Sequence, residues 1–302
     1  MAAGIFVALS LMPARADEKS DIAALQAQIT ALQTQVNTQQ AQITTLQTQL
    51  ATVQSNKALL LGPFVSVNPN GTGLDKGVTG PNIYFTGANI HILSGSGATD
   101  DHLSTGGTLT GLGNLIIGYD ELFTNSKGVT QTPNRGGSHN LVIGRFNNFT
   151  SSAFGGLVAG ELNTISAEAA SVSGGSVNTA SGTLASVSGG EQSTASGGNS
   201  SVSGGDGNTA SGVDASVSGG SSNTASGEIA SVSGGGANTA SQSGASVSGG
   251  DHNTASGVGS SVSGGDGNTA GGNGSTVIGG SGVTTTSTLA IGPQPLSNFP
   301  FP

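Results

Sequence analysis

Hydrophobic positions follow two different periods, one near the start of the chain and one across its second half. From the start, Ile22, Leu25, Ile29, Leu32, Val36, Ile43, Leu46, Leu50, Val53 and Leu60 recur at spacings of three and four. That stripe is a heptad pattern, with Ile or Val at position a up to Ile43, Leu at most d positions, and polar Gln39 and Lys57 as the interruptions. Neither Pro nor Gly occurs between Asp17 and Leu61, so nothing breaks the predicted helix. The flanking e and g positions are Gln26, Gln28, Gln33, Gln35, Gln40, Gln42, Gln47, Gln49 and Gln54. Neutral flanks impose no charge rule that selects a different partner, which predicts self-association in parallel register. Ile at a with Leu at d suits two strands, so the heptads alone do not set the number of chains.

The second period is 15 residues and begins at Ala170: ASVSGGSVNTASGTL, ASVSGGEQSTASGGN, and onward to STVIGGSGVTTTSTL. Val172, Val187, Val202, Val217, Val232, Val247, Val262 and Val277 hold one phase, and two Gly follow each of them. A flexible linker needs no fixed Val, whereas a stacked solenoid does. Each repeat offers two short alternating pieces, such as Ser171-Val172-Ser173 and Thr179-Ala180-Ser181. Alternation turns Val172 and Ala180 inward and their Ser and Thr neighbours outward, and the Gly after each piece marks a sharp corner with positive φ. Stacking places Asn178, Asn208, Asn223, Asn238, Asn253 and Asn268 in a ladder at one corner. Burying one Val per coil is a thin return for ordering the whole repeat. Either the ladders supply the difference, or the coils bury an outer face against other copies of the chain.

Composition narrows the function. The chain has 302 residues, 53 of them Gly, with 4% aromatic and 8% charged residues and no Cys. Between Phe154 and Phe299 there is no aromatic residue, which is unlike an enzyme domain. The seven cations are Arg15, Lys19, Lys57, Lys76, Lys127, Arg135 and Arg145, so a phosphate-binding face for nucleic acid or anionic lipid is not expected. Absence of Cys excludes disulfides and thiolate metal sites. Gly4 to Met12, followed by Pro13 and Ala14-Arg15-Ala16, reads as a signal peptide cleaved before Asp17, which predicts secretion without membrane insertion of the mature chain.

Candidate chemistry is sparse, and no cofactor is predicted. Asp100-Asp101-His102 is the densest polar cluster and reads as a solvated turn, short of the ligands a metal needs. Asp120-Glu121 is similar. Gly-Gly-Asp pieces at Asp206, Asp251 and Asp266 are similar to calcium-binding solenoid repeats, but Ser176, Glu191, Ser221 and Gly236 occupy the same phase elsewhere, so a continuous calcium ladder is not expected. Tyr84, Phe85, Phe146, Phe149 and Phe154 are assigned to packing in a wider early interior or an interface.

The motifs Asn114-Leu115-Ile116-Ile117-Gly118, Asn140-Leu141-Val142-Ile143-Gly144, Leu157-Val158-Ala159-Gly160 and Leu289-Ala290-Ile291-Gly292, with the Ser-Val-Ser-Gly-Gly repeats, resemble the head repeats of trimeric autotransporter adhesins over about residues 82–292. The resemblance implies a left-handed parallel β-roll, three of which pack about an axis continuous with a coiled coil, and an adhesive role at a cell surface. Here the coil precedes the roll, and the tail Gln294 to Pro302 contains no barrel strands of the kind that anchor those adhesins. The unit Asn178-Thr179-Ala180-Ser181-Gly182 also resembles repeats of ice-binding β-rolls of some grasses, with its Thr row outward.

The predicted organisation is therefore mainly β: signal peptide 1–16, coiled-coil stalk 17–61, connector 62–80, irregular β-roll coils 81–169, regular 15-residue coils 170–283, and a last coil, cap and tail 284–302. The predicted function is a secreted, non-enzymatic structural or adhesive fibre, a homotrimer binding an extracellular surface or matrix ligand. An ice-binding surface and a receptor-binding fibre of phage type are the alternatives.

Overall fold

A computed structural model describes residues 16–55, 61–68 and 81–292. The segment read as a signal peptide except for its last residue, Ala16, the heptad positions Lys57 and Leu60, most of the connector, and the tail from Gln294 lie outside the described residues. The chain divides into two units, 1–90 and 91–302.

In the first unit, helix α1 runs Ala16–Ser55 without interruption. Its heptad residues Ile22 to Val53 are all exposed. Away from that stripe, Thr30, Thr34, Thr38, Thr44, Thr45, Thr48 and Thr52 each donate a hydroxyl hydrogen bond to the carbonyl four residues earlier, so these side chains need no outside partner. Beyond it, strands β1 (Val65–Asn68) and β2 (Asn82–Phe85) pair antiparallel. This differs from the expected place of Asn82–Phe85 among the early parallel coils: Ser66 opposes Tyr84 in an antiparallel pair, so the edge of β2 is engaged by β1 and not by a coil.

The second unit is a parallel β-solenoid of about ten coils. It has two sheets, one of twelve strands and one of ten, in which every neighbour is the equivalent strand of the next coil. In the regular array the larger sheet stacks Ser-Val pairs such as Ser186 and Val187 on Ser201 and Val202, and the smaller stacks Thr-Ala pairs such as Thr194 and Ala195 on Thr209 and Ala210. The 15-residue period is thus the ladder register itself. The Val column and the facing Ala column, Ala180 to Ala270, are fully enclosed. A third interior column, invisible to strand alternation, starts each repeat: Ala170, Ala185, Ser200, Ala215, Ala230, Ala245, Ser260 and Ser275 are all buried.

The corners correct the sequence expectation in two ways. Of the glycines after each strand, the second of the Gly-Gly pair has positive φ, as at Gly175 (77°), but Gly182, after the Thr-Ala strand, does not. A Cβ on Gly182 would lie 2.0 Å from the carbonyl oxygen of Gly197, so close stacking of coils is what demands glycine there. Two further left-handed positions per coil are not reserved for glycine: in the first repeat they are Val177 (φ 59°) and Leu184 (φ 60°), held by ladder hydrogen bonds from their own N–H groups to Glu161 and Glu168 carbonyls.

The Asn column, in the segment between the two strands of each coil, is fully enclosed. Asn223 Nδ2 donates to the carbonyls of Gly219 and Gly235, both at 2.9 Å, and its Oδ1 accepts from the N–H of Asn238 at 2.9 Å. Each amide ties its own coil to the next through three backbone groups that would otherwise be buried unpaired. The column starts upstream of the array, at Asn147 and Asn163. Ser193 interrupts it, offering a weaker 3.3 Å contact to the N–H of Asn208.

Three coils precede the array. Strand β3 (Leu115–Ile117) pairs with β4 (Leu141–Arg145), and β4 with β6 (Leu157–Glu161), while β5 (Asn148–Phe149) pairs with β7 (Thr164–Ile165). The Ala column is continued backwards by Ile165 and Phe149, so the interior narrows from aromatic to methyl in three coils. Of the aromatics assigned to packing, Phe149 fills this interior. Phe146, at φ 61°, turns outward to meet Phe123 edge-on at 5.6 Å under the Arg145 guanidinium, and Phe85 is exposed.

Candidate functional site

The polar clusters of the early coils are structural. Asp101 is buried, contrary to the solvated turn expected from sequence. Its Oδ1 accepts from the hydroxyls of Ser94 (2.5 Å) and Ser96 (2.6 Å), and its Oδ2 from the N–H (2.7 Å) and hydroxyl (2.8 Å) of Thr110. Burial opposes the charge, but hydrogen bonds from Ser138, Ser94, Ser96 and Thr110 outweigh it and hold the carboxyl well below the usual carboxylate range. With both oxygens engaged, Asp101 fixes the loop 94–110 and is not disposed to bind a metal. Beside it Asp100 accepts from the N–H groups of His102 and Ser104, both at 3.1 Å, shaping the short 3-10 turn Leu103–Thr105.

Asp120 is likewise buried and closes the excursion 119–137. It accepts from Asn147 N–H at 2.8 Å and faces Arg135 Nε at 3.0 Å, while Arg135 Nη2 donates to the backbone carbonyls of Asp120 and Glu121. Desolvation raises its pKa, and the Asn147 hydrogen bond and the Arg135 charge only partly offset this.

Three surfaces remain for function. The first is the outer side of the Thr-Ala sheet, where Thr164, Thr179, Thr194, Thr209, Thr224, Thr239, Thr254, Thr269 and Thr284 stack in parallel register. The second is the outer side of the Ser-Val sheet. Its columns are Ser through the array but begin with Leu115, Ile117, Leu141, Ile143 and Leu157, and end with Ile278 and Ile291. Along its border run Gly174, Gly189, Gly204, Gly219, Gly234, Gly249, Gly264 and Gly279. A Cβ on these would meet open space or, at Gly174, one atom at 3.9 Å. Packing within the chain therefore does not explain their repetition.

The third surface is an edge built by the residue after each Gly-Gly pair. Bridges stack Glu161, Ser176, Glu191, Asp206, Ser221, Gly236, Asp251, Asp266 and Ser281 into a single row. Toward the early coils this row borders an open groove of about 970 Å³ lined by Gly144, Gly160, Gly175, Gly190 and Gly205 and reaching the exposed Tyr119. Toward the end, Asp251, His252 and Asp266 bring ligand atoms within 4.8 Å of one another. The sequence groups Asp251 and Asp266 as Gly-Gly-Asp pieces of successive repeats but does not join His252 to them. The signal is their phase: both acids follow Gly-Gly in consecutive repeats, and His252 is next to one of them.

Comparison of the chain with protein-family models and with curated proteins gives no match. Among the described residues, no helix is long and apolar enough to cross a membrane.

Proposed function

We propose that this chain is a secreted, non-enzymatic structural or adhesive fibre protein, in which α1 forms a parallel coiled coil that gathers three left-handed β-rolls into a homotrimer. The observation that carries this reading is the nine-residue heptad stripe from Ile22 to Val53, exposed along its whole length in the single chain. A narrow apolar seam on a 40-residue helix is an interface in want of a partner, and neutral Gln flanks make a second copy of the same helix the best fit. The uncharged Ser face with its border of unhindered glycines supports close approach of rolls as well. Acidic side chains sit on other rows, so copies meeting through the Ser face avoid repulsion within a chain of net charge −9.

Sedimentation equilibrium of the chain from Asp17 tests the assembly. A trimer that falls to monomer in Leu32→Glu is the expected result, and a monomeric wild type at micromolar concentration overturns it. Replacing Gly219 by Leu tests the roll face: association weakens while the fold of the single chain, open at that position, persists. The in-register Thr column supports a second reading, an ice-binding surface. Thermal hysteresis in the wild type, abolished by Thr209→Lys and Thr224→Lys, would favour it over the fibre.

A further inference from the structure

We infer that Asp251, His252 and Asp266 form a binding site for one divalent transition-metal cation of the zinc type, clipping two consecutive coils together at the acidic edge.

The site is set by backbone that the solenoid holds rigid. Asp251 and Asp266 are bridge partners, so their side chains leave adjacent coils at the same phase. His252 N–H donates to the carbonyl of Gly236 at 2.9 Å, and Gly267 N–H to the carbonyl of Asp251 at 2.9 Å, which fixes the residues on both sides of the cluster. His252 adopts φ 54°, the left-handed conformation shared by its equivalents in neighbouring coils. The solenoid therefore fixes the backbone from which the three exposed side chains project.

Donor chemistry selects the cation. His252 Nδ1 lies 3.0 Å from Asp251 Oδ2. Bonds of about 2.0–2.2 Å place two ligands of one zinc ion roughly 3 Å apart, so one ion can reach both atoms. Asp266 supplies a third donor, with all three atoms inside 4.8 Å. One imidazole nitrogen with two carboxylate oxygens suits zinc, nickel or cobalt; calcium and magnesium prefer an all-oxygen set. Exposure of all three residues leaves the remaining positions to water.

Independent of the donors, the neighbouring coils leave room. The preceding residue in the row is Gly236, and a Cβ on it would lie 2.5 Å from Asp251 Oδ1. The carboxylate thus occupies a space that any side chain at 236 would fill. On the other side the equivalent of His252 is Gly267. The other consecutive acid pair of the array, Glu191 and Asp206, has Gln192 where His252 stands and no such opening, since Ser176 precedes it.

Calorimetric titration of the chain from Asp17 with zinc, and separately with calcium, tests the site. The expected result is one zinc bound per chain, calcium bound at least about tenfold more weakly, and zinc affinity reduced at least about tenfold by His252→Ala or Asp266→Asn. Gly236→Ala keeps every ligand but crowds Asp251, and is expected to weaken zinc as well. Circular dichroism of each variant checks that the coils remain folded. Zinc raises the melting temperature of the wild type but not of Asp266→Asn, because the clip spans two coils. Absence of zinc binding in the wild type, or undiminished stoichiometry and affinity in His252→Ala, overturns the assignment. Equal affinity for calcium overturns the choice of metal class.

Discussion

Val158 and Val172 occupy one interior column in adjacent coils, yet the chain on either side of them is built differently. Before Val158, successive coils are uneven. Leu115 pairs with Leu141, Leu141 with Leu157, and Leu157 with Ser171, while every later step advances 15 residues. The early coils hold large residues, Phe149 and Ile165, and need individual polar locks at Asp101 and Asp120 to close their excursions. The array has no interior residue larger than Val. It substitutes repetition for volume, with the same amide making the same three hydrogen bonds in coil after coil. A narrow solenoid can thus be held largely by satisfied backbone and ladder hydrogen bonds, whereas a wider one returns to ordinary packing and bespoke contacts.

The sharpest way to break this comparison is to place a charge in each interior. Val217→Asp is expected to cost about 3 to 5 kcal/mol, because a carboxylate would be buried without a partner. Ser218→Asp, exposed on the outer face of the single chain, should leave the coil folded and act only on the association of rolls through that face. Chemical denaturation of both checks the inward assignment, and equal destabilisation would sink it. Phe149→Ala should cost a similar amount, about 3 to 5 kcal/mol, through a cavity instead of a charge.

A somewhat smaller effect is expected from Asn223→Ala, about 2 to 3 kcal/mol, since two carbonyls lose an amide donor and the Asn238 N–H loses its acceptor. Amide hydrogen exchange should show protection falling at Asn238 while the early coils keep theirs, because a solenoid transmits damage to neighbours first.

The early coils should instead respond to acid. Asp101 has a pKa below its unfolded value, so its contribution is complete above about pH 4 and is lost as the pH falls further. Asp120 has the opposite sign: its raised pKa favours the folded state at low pH and weakens it as the pH rises through that raised value. Hydrogen exchange of loop 94–110 between about pH 6 and pH 3 should show loosening in the wild type. Asp101→Asn should be looser at the upper end and flatter across the range.

The smallest expected effects are gains. Ser193→Asn restores the interrupted amide column and should stabilise the array by about 1 kcal/mol. Ser200→Ala removes a buried hydroxyl with no partner and should gain about the same. Ser260→Ala should not, because that hydroxyl accepts from Gly257 N–H at 3.0 Å. Thermal melts of the three variants test whether polar satisfaction, and not residue size, governs the narrow interior.

Much of the array is legible in the sequence. Alternation places Val172 and Ala180 inward and Ser173 outward, and a strict period stacks each residue on its copy, so the two sheets and the Asn column follow from one repeat. The unbroken helix over the heptads is legible for the same reason: a covalent spacing fixes which side chains share a face. What the repeat does not encode is how the chain turns between strands and crosses itself outside the period. Only the tertiary structure brings Ala170 inside, gives Gly182 a role in close stacking instead of positive φ, and pairs Asn82–Phe85 with Val65–Asn68. It likewise decides that Asp101 is caged by hydroxyls and that His252 meets Asp266 from the next coil. Local patterns set faces through bond geometry, whereas these contacts depend on distances between residues remote in sequence, which the folded backbone alone determines.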